Sequence, residues 1–139
     1  MKVLVDSGVW IDWFADRQTL QTTALTGFVA SKRELLVGDL VLTEVLQGTR
    51  DARDFAQKHA RLGAFEQVAV VDPVVAVGAA RLYQRLRTRG ITVRKTIDTL
   101  IAARCILGGI PLLFADRDYD PFVDHCGLRS ALHIAPGQN

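Results

Sequence analysis

The chain predicts an α/β fold: one domain with a central, mostly parallel sheet of four or five strands flanked by helices. Three observations predict it. The strand-like segments are short apolar runs without polar alternation, as strands covered on both faces are. Longer segments with helical signals lie between them, so successive strands need crossover helices and pair in parallel. The chain has 139 residues, 49% of them hydrophobic, which suits one domain with a substantial core.

Residues 2–6 open the chain as a buried strand. Residues 8–15 follow as a helix, with Ser7 as its cap. A second helix covers 20–33, and a short strand lies at 35–37. Asp39 then caps a helix over 40–47 that stops at Gly48. Residues 51–62 are helical and end at Gly63, and Phe65 to Val71 make a strand. Asp72 and Pro73 start a long helix over 74–89, because proline suits a first turn, and Gly90 follows its end. Thr96 caps a helix over 97–107, closed by Gly108 and Gly109. A strand at 111–115, a helical turn near 121–125 and a last strand at 131–134 complete the domain. The domain is placed at 1–134, and residues 135–139 read as a short tail.

Composition removes several function classes. The formal net charge is only +2, so bulk charge singles out no partner. Its distribution says more: Arg81, Arg85, Arg87, Arg89, Arg94 and Lys95 form a basic run with no acid inside it. A solvated helix face is the plain reading of such a run. Cys105 and Cys126 make no disulfide framework, and with three histidines they lack the spacing of a zinc site. The first strand meets Asp6 after three apolar residues, so no signal peptide opens the chain. No apolar stretch is long enough for a bilayer, and a cytoplasmic location without membrane contact is expected.

Four acids sit where carboxylates are out of place. Asp6 ends an apolar strand, Glu44 lies in the run Leu40 to Leu46, Asp98 is in the first turn of an apolar helix, and Asp116 follows Leu112-Leu113-Phe114-Ala115. Ionised carboxylates are rarely buried unless they are paired or bind metal. In open parallel sheets, sites form beyond the carboxyl ends of strands, and Asp6 and Asp116 both follow strands. Each acid also has a plain explanation: Asp98 suits a helix dipole, Asp6 could cap, and Asp116 could belong to a solvated turn. Their conjunction favours a divalent cation and phosphoryl transfer by activated water. No phosphate-binding glycine loop or Gly-x-Ser-x-Gly elbow is present.

At these residues the chain resembles the PIN-domain family, and most closely its VapC-type toxins. The matching pieces are Val3 to Ser7, Leu42 to Gly48, Ile97 to Ala103 and Leu112 to Asp120, in family order. The resemblance implies Mg²⁺- or Mn²⁺-dependent hydrolysis of RNA, by a toxin of a type II toxin–antitoxin pair. It implies that Asp6 and Asp98 are the central metal ligands and that Glu44 and Asp116 complete the catalytic set. Ser7 would orient Asp6 or a water, and Asp118 would be an auxiliary acid. Asp12 matches a frequent family acid and reads as structural. Phe114 stands where the family commonly has a polar residue, so a supporting hydrogen bond is expected to be missing.

The implied partners are a VapB-like antitoxin, whose terminal segment fills a groove, and an RNA such as tRNA or rRNA. A homodimer is implied as well. Arg81, Arg85 and Arg89 recur every fourth residue and share a helix face, while Arg94 and Lys95 lead to Asp98. Together they are candidates for drawing an RNA backbone to the acids. Trp10, Trp13 and Phe14 read as core packing, with the antitoxin groove or a dimer contact as the other possibility. The alternatives are a PIN-type RNA-processing nuclease and a non-catalytic module that binds RNA or protein.

Overall fold

The computed structural model describes residues 1–134; the tail placed at 135–139 lies outside the described residues. The strands are β1 (Val3–Val5), β2 (Leu35–Gly38), β3 (Glu66–Val68) and β4 (Leu112–Leu113), all parallel, in the order β3-β2-β1-β4. The helices are α1 (Ser7–Phe14), α2 (Leu20–Ala30), α3 (Asp39–Gln47), α4 (Ala52–Leu62), α5 (Pro73–Thr88), α6 (Thr96–Gly108) and α7 (Asp120–Cys126). The α/β class, the parallel sheet and its four principal strands agree with the expectation. Among the described residues, no helix is long and apolar enough to cross a membrane.

Strand order decides where a site can form. The chain runs outward from β1 through β2 to β3, then returns to place β4 on the other side of β1. The order therefore switches between β1 and β4. Their register sets Leu4 beside Leu112 and Val5 beside Leu113, and the Asp6 amide donates to the Leu113 carbonyl at 2.9 Å. Val3, Leu4, Val5, Leu112 and Leu113 are fully buried, which explains why these strands carry no polar alternation.

Helix starts differ from the expectation by one residue in three places. Asp6, not Ser7, is the residue before α1; Gly38, not Asp39, precedes α3; and Lys95, not Thr96, precedes α6. Asp39 has a different task. Its Oδ1 accepts from the Leu40 amide at 2.8 Å and the Val70 amide at 3.0 Å. A side chain there takes over from the strand ladder, and β3 ends at Val68 instead of reaching Val71.

The strand expected at 131–134 is not formed. Residues Ala131–His133 make a short 3₁₀ turn, and one parallel bridge, Leu112 to Ser130, remains at that edge. The cause is local: the Ser130 hydroxyl accepts from the Leu132 amide at 3.3 Å and turns the chain away from an extended course. The predicted helix at 20–33 stops at Ala30, and Lys32 adopts a left-handed backbone with φ of 58°.

At the end of β2 the chain passes close to Val70. A Cβ on Gly38 would lie 2.7 Å from Val70 Cγ2, and valine is too stiff to swing aside. Gly38→Ala is therefore expected to destabilise the fold by about 1–3 kcal/mol through overpacking. Urea denaturation checks this, and an unchanged midpoint would show that the β2 edge can relax.

Candidate active site

The switch between β1 and β4 gathers the acids. Asp6 leaves β1, Asp98 comes from the first turn of α6, and Asp116 lies beyond β4. Asp6 and Asp98 are only 5% and 6% exposed. One group joins them: the Tyr119 hydroxyl lies 3.0 Å from Asp6 Oδ1 and 3.3 Å from Asp98 Oδ1. Tyr119 is itself fully buried, in the 3₁₀ turn Arg117–Tyr119 that Asp116 opens by accepting from the Asp118 amide at 2.9 Å.

Glu44 enters from α3 and is half-buried. The Ser7 hydroxyl donates to Glu44 Oε1 at 3.1 Å, so it is turned toward this acid and not toward Asp6. On the opposite side, the Lys95 ammonium donates to Asp116 Oδ2 at 2.8 Å. The same ammonium lies 3.6 Å from Asp118 Oδ2 and 3.9 Å from Asp98 Oδ2. The cluster thus has Glu44 held by Ser7 on one side, Asp6 and Asp98 joined by Tyr119 at the centre, and Asp116 and Asp118 gathered by Lys95 on the other.

The electrostatics follow from this crowding. Burial pushes the Asp6 carboxyl up to about 7, with the negative charges of Asp98 and Glu44 adding to the rise and the Tyr119 hydrogen bond opposing it. Burial also raises Asp98, against the pull of Lys95. Asp116 moves the other way, held down by its hydrogen bond to Lys95 and by the Asp118 amide. Burial and the two facing carboxylates raise the Tyr119 phenol, so it stays protonated as the donor between them.

Three of these residues, Asp98, Asp116 and Asp118, pass the test for a hard divalent cation; Asp6 and Glu44 stand outside that group. Carboxylate oxygens of Asp98, Asp116 and Asp118 all lie within 4.8 Å of one another. Asp98 Oδ2 is buried and has no hydrogen-bond partner among the described residues. An orphaned carboxylate oxygen is costly in a folded protein unless a cation satisfies it. An all-oxygen set suits Mg²⁺ or Mn²⁺ better than softer metals.

Of the candidate basic residues, Lys95 reaches the acids. Arg94 and Arg117 line a cavity of about 140 Å³ beside Asp98 and Asp118. Arg85 and Arg89 lie near the Cys126 thiol of α7, and Arg81 is exposed on α5. Asp12 pairs with Arg17 at 2.8 Å, consistent with a structural acid. Trp10 is fully buried against Phe14 and Phe65, as core packing predicts.

The sequence reading missed Tyr119. It sits in the acidic run Asp116 to Asp120, which reads as solvated, but a lone aromatic there was the available signal. Phe114 explains its burial: the two rings meet with centroids 5.2 Å apart. The apolar residue at that point packs the tyrosine whose hydroxyl contacts Asp6 and Asp98.

A second cavity lies beside α1, α3 and α4. Ile11 is one turn beyond Ser7 on α1, and Gly48, which ends α3, is one turn beyond Glu44. With Phe14, Val45, Arg50 and Lys58 they line a cavity of about 480 Å³.

The raised Asp6 gives a pH signature in metal-free protein. A carboxyl whose folded value lies above its unfolded value stabilises the fold at low pH, and that stability is lost as pH rises toward about 7. In EDTA, the stability of the wild type relative to Asp6→Asn should fall between pH 5 and pH 8, by on the order of 2 kcal/mol. Denaturant titration at both pH values checks it, and a difference that does not change with pH would mean Asp6 titrates normally.

Comparison with known proteins places this architecture. The PIN domain family model matches residues 3–123. Among solved structures, VapBC2 from Rickettsia felis bound to a DNA fragment from their promoter is 14% identical, with TM-score 0.75, covering 94% of this chain and 97% of that one. VapBC-1 from nontypeable Haemophilus influenzae is 12% identical, with TM-score 0.72, covering 94% and 96%. A toxin–antitoxin complex from Klebsiella pneumoniae is 18% identical, with TM-score 0.67, covering 92% and 96%. At these identities the structures speak for the fold, and the match over most of the sequence carries the assignment: this chain belongs to the PIN domain family.

Proposed function

We propose that this chain is the toxin of a VapBC-like type II toxin–antitoxin pair, a Mg²⁺- or Mn²⁺-dependent endoribonuclease acting in the cytoplasm. The observation that carries the reading is the orphaned, buried Asp98 Oδ2, facing other carboxylates at the switch in strand order. Asp6 and Asp98 are the central ligands, and Glu44 and Asp116 complete the set, with Asp118 auxiliary. A divalent cation bound there would activate water and offset the charge that builds on an RNA phosphodiester.

The chain's own residues do the rest. Tyr119 keeps Asp6 and Asp98 at a fixed separation, and Ser7 holds Glu44 toward the cluster. Arg94 and Arg117, beside Asp98 and Asp118, offer cations to the phosphates flanking the cleaved bond. The run Arg81, Arg85 and Arg89 extends this attraction along α5.

The similar solved structures are described as toxin–antitoxin or VapBC complexes, which supports a VapB-like antitoxin as partner. The cavity between α1, α3 and α4 would receive a segment of it, blocking approach to Glu44 and Ser7. Val74 and Val77, exposed on α5, are apolar surface that a homodimer would cover.

The test is cleavage of an RNA pool containing structured tRNA and rRNA by antitoxin-free protein. Cutting is expected with Mg²⁺ or Mn²⁺ and to stop in EDTA. Asp98→Asn and Asp6→Asn should each lower the rate by about 100-fold or more, the scale of losing the metal's contribution. Equal cutting by wild type and a folded Asp98→Asn would sink the nuclease reading.

A further inference from the structure

Lys95 lies in an unusual place for a cation. It is the residue before α6, where the helix dipole disfavours positive charge. The neighbouring carboxylates outweigh that: its ammonium is 2.8 Å from Asp116, 3.6 Å from Asp118 and 3.9 Å from Asp98. These are the same three acids whose oxygens come within 4.8 Å of one another. The ammonium therefore stands among the oxygens a divalent cation would use.

The fit is incomplete. At 3.9 Å from Asp98 Oδ2 the ammonium is beyond hydrogen-bond reach, and that oxygen is left without a partner. A point charge on a flexible four-carbon stem can neutralise Asp116 and Asp118, but it does not satisfy the buried oxygen as well. The Lys95 side chain is 54% exposed, so its tip has solvent to retreat into.

We propose that Lys95 is a displaceable internal counter-ion, which holds Asp116 and Asp118 together in the metal-free protein and is expelled from the cluster by the divalent cation. The inference rests on the nuclease reading's metal site and adds that loading is a competition between two cations for one set of oxygens. Lys95 is thus a positioning residue. Once released, its ammonium joins Arg94 and Arg117 on the side facing the phosphates.

Mn²⁺ binding tests this without reference to RNA cleavage. Isothermal titration of antitoxin-free protein is run on wild type, Lys95→Met, Lys95→Arg and Arg87→Gln, the last removing a charge from the exposed face of α5. Lys95→Met should bind Mn²⁺ about tenfold more tightly, as expected when one unit of like charge leaves a partly solvated site at contact distance. Lys95→Arg should retain weak binding, and Arg87→Gln should match wild type. In EDTA, Lys95→Met should melt at a lower temperature than wild type, because its acids are left unbalanced. Equal or weaker Mn²⁺ binding by Lys95→Met would overturn the counter-ion role while leaving the metal site standing. Failure of every protein to bind Mn²⁺ would overturn both.

Discussion

One phenol organises the centre of this molecule. Asp6 and Asp98 come from elements far apart in sequence and are both nearly excluded from water. Two such carboxylates repel, and each would relax toward solvent if nothing held it. The Tyr119 hydroxyl lies within 3.3 Å of both, and burial keeps that hydroxyl protonated. Its one proton serves one carboxylate at a time, so the pair is held close without being fully neutralised. On the flanks, Lys95 neutralises Asp116 and Ser7 donates to Glu44, so the outer acids have partners while Asp98 Oδ2 has no hydrogen-bond partner among the described residues.

The fold exists around this constraint. Parallel pairing of β1 with β4 brings Asp6 and Asp116 to one end of the sheet, and the switch in strand order leaves a crevice there. Phe114 and Phe122 flank the Tyr119 ring and fix its position from the apolar side. An apolar residue at Phe114 therefore does not leave the acids without hydrogen-bonding support. It buttresses the side chain that provides that support.

The parts legible in the sequence were those with a period or a composition to read. Uninterrupted apolar runs located β1, β2 and β4, and Asp72 with Pro73 marked the start of α5. The acids stood out because Asp6, Glu44 and Asp98 interrupt apolar segments. The parts that were not legible depend on contacts across the chain. Asp39 ends β3 by accepting from Val70, thirty-one positions away. Ser130 folds the last expected strand into a turn through a hydrogen bond two residues long. Tyr119 reaches Asp6 across 113 positions, and no local pattern announces such a bond.

Lys95 shows the limit of reading charge by composition. It ends a basic run, so sequence alone groups it with the arginines as an attractor for nucleic acid. In the fold the run divides. Arg85 and Arg89 lie near Cys126, Arg94 stays beside the acids, and Lys95 turns into them. The same charge performs different work depending on which carboxylates face it. A cation among carboxylates either satisfies them or marks where a stronger cation belongs, and the difference lies in the oxygens it leaves unmet. Asp98 Oδ2 is such an oxygen. A site meant to remain a salt bridge would have closed over it with a donor. This one keeps a buried, unpaired lone pair beside a half-exposed ammonium, an arrangement that makes physical sense for a ligand set awaiting a second, better-fitting charge.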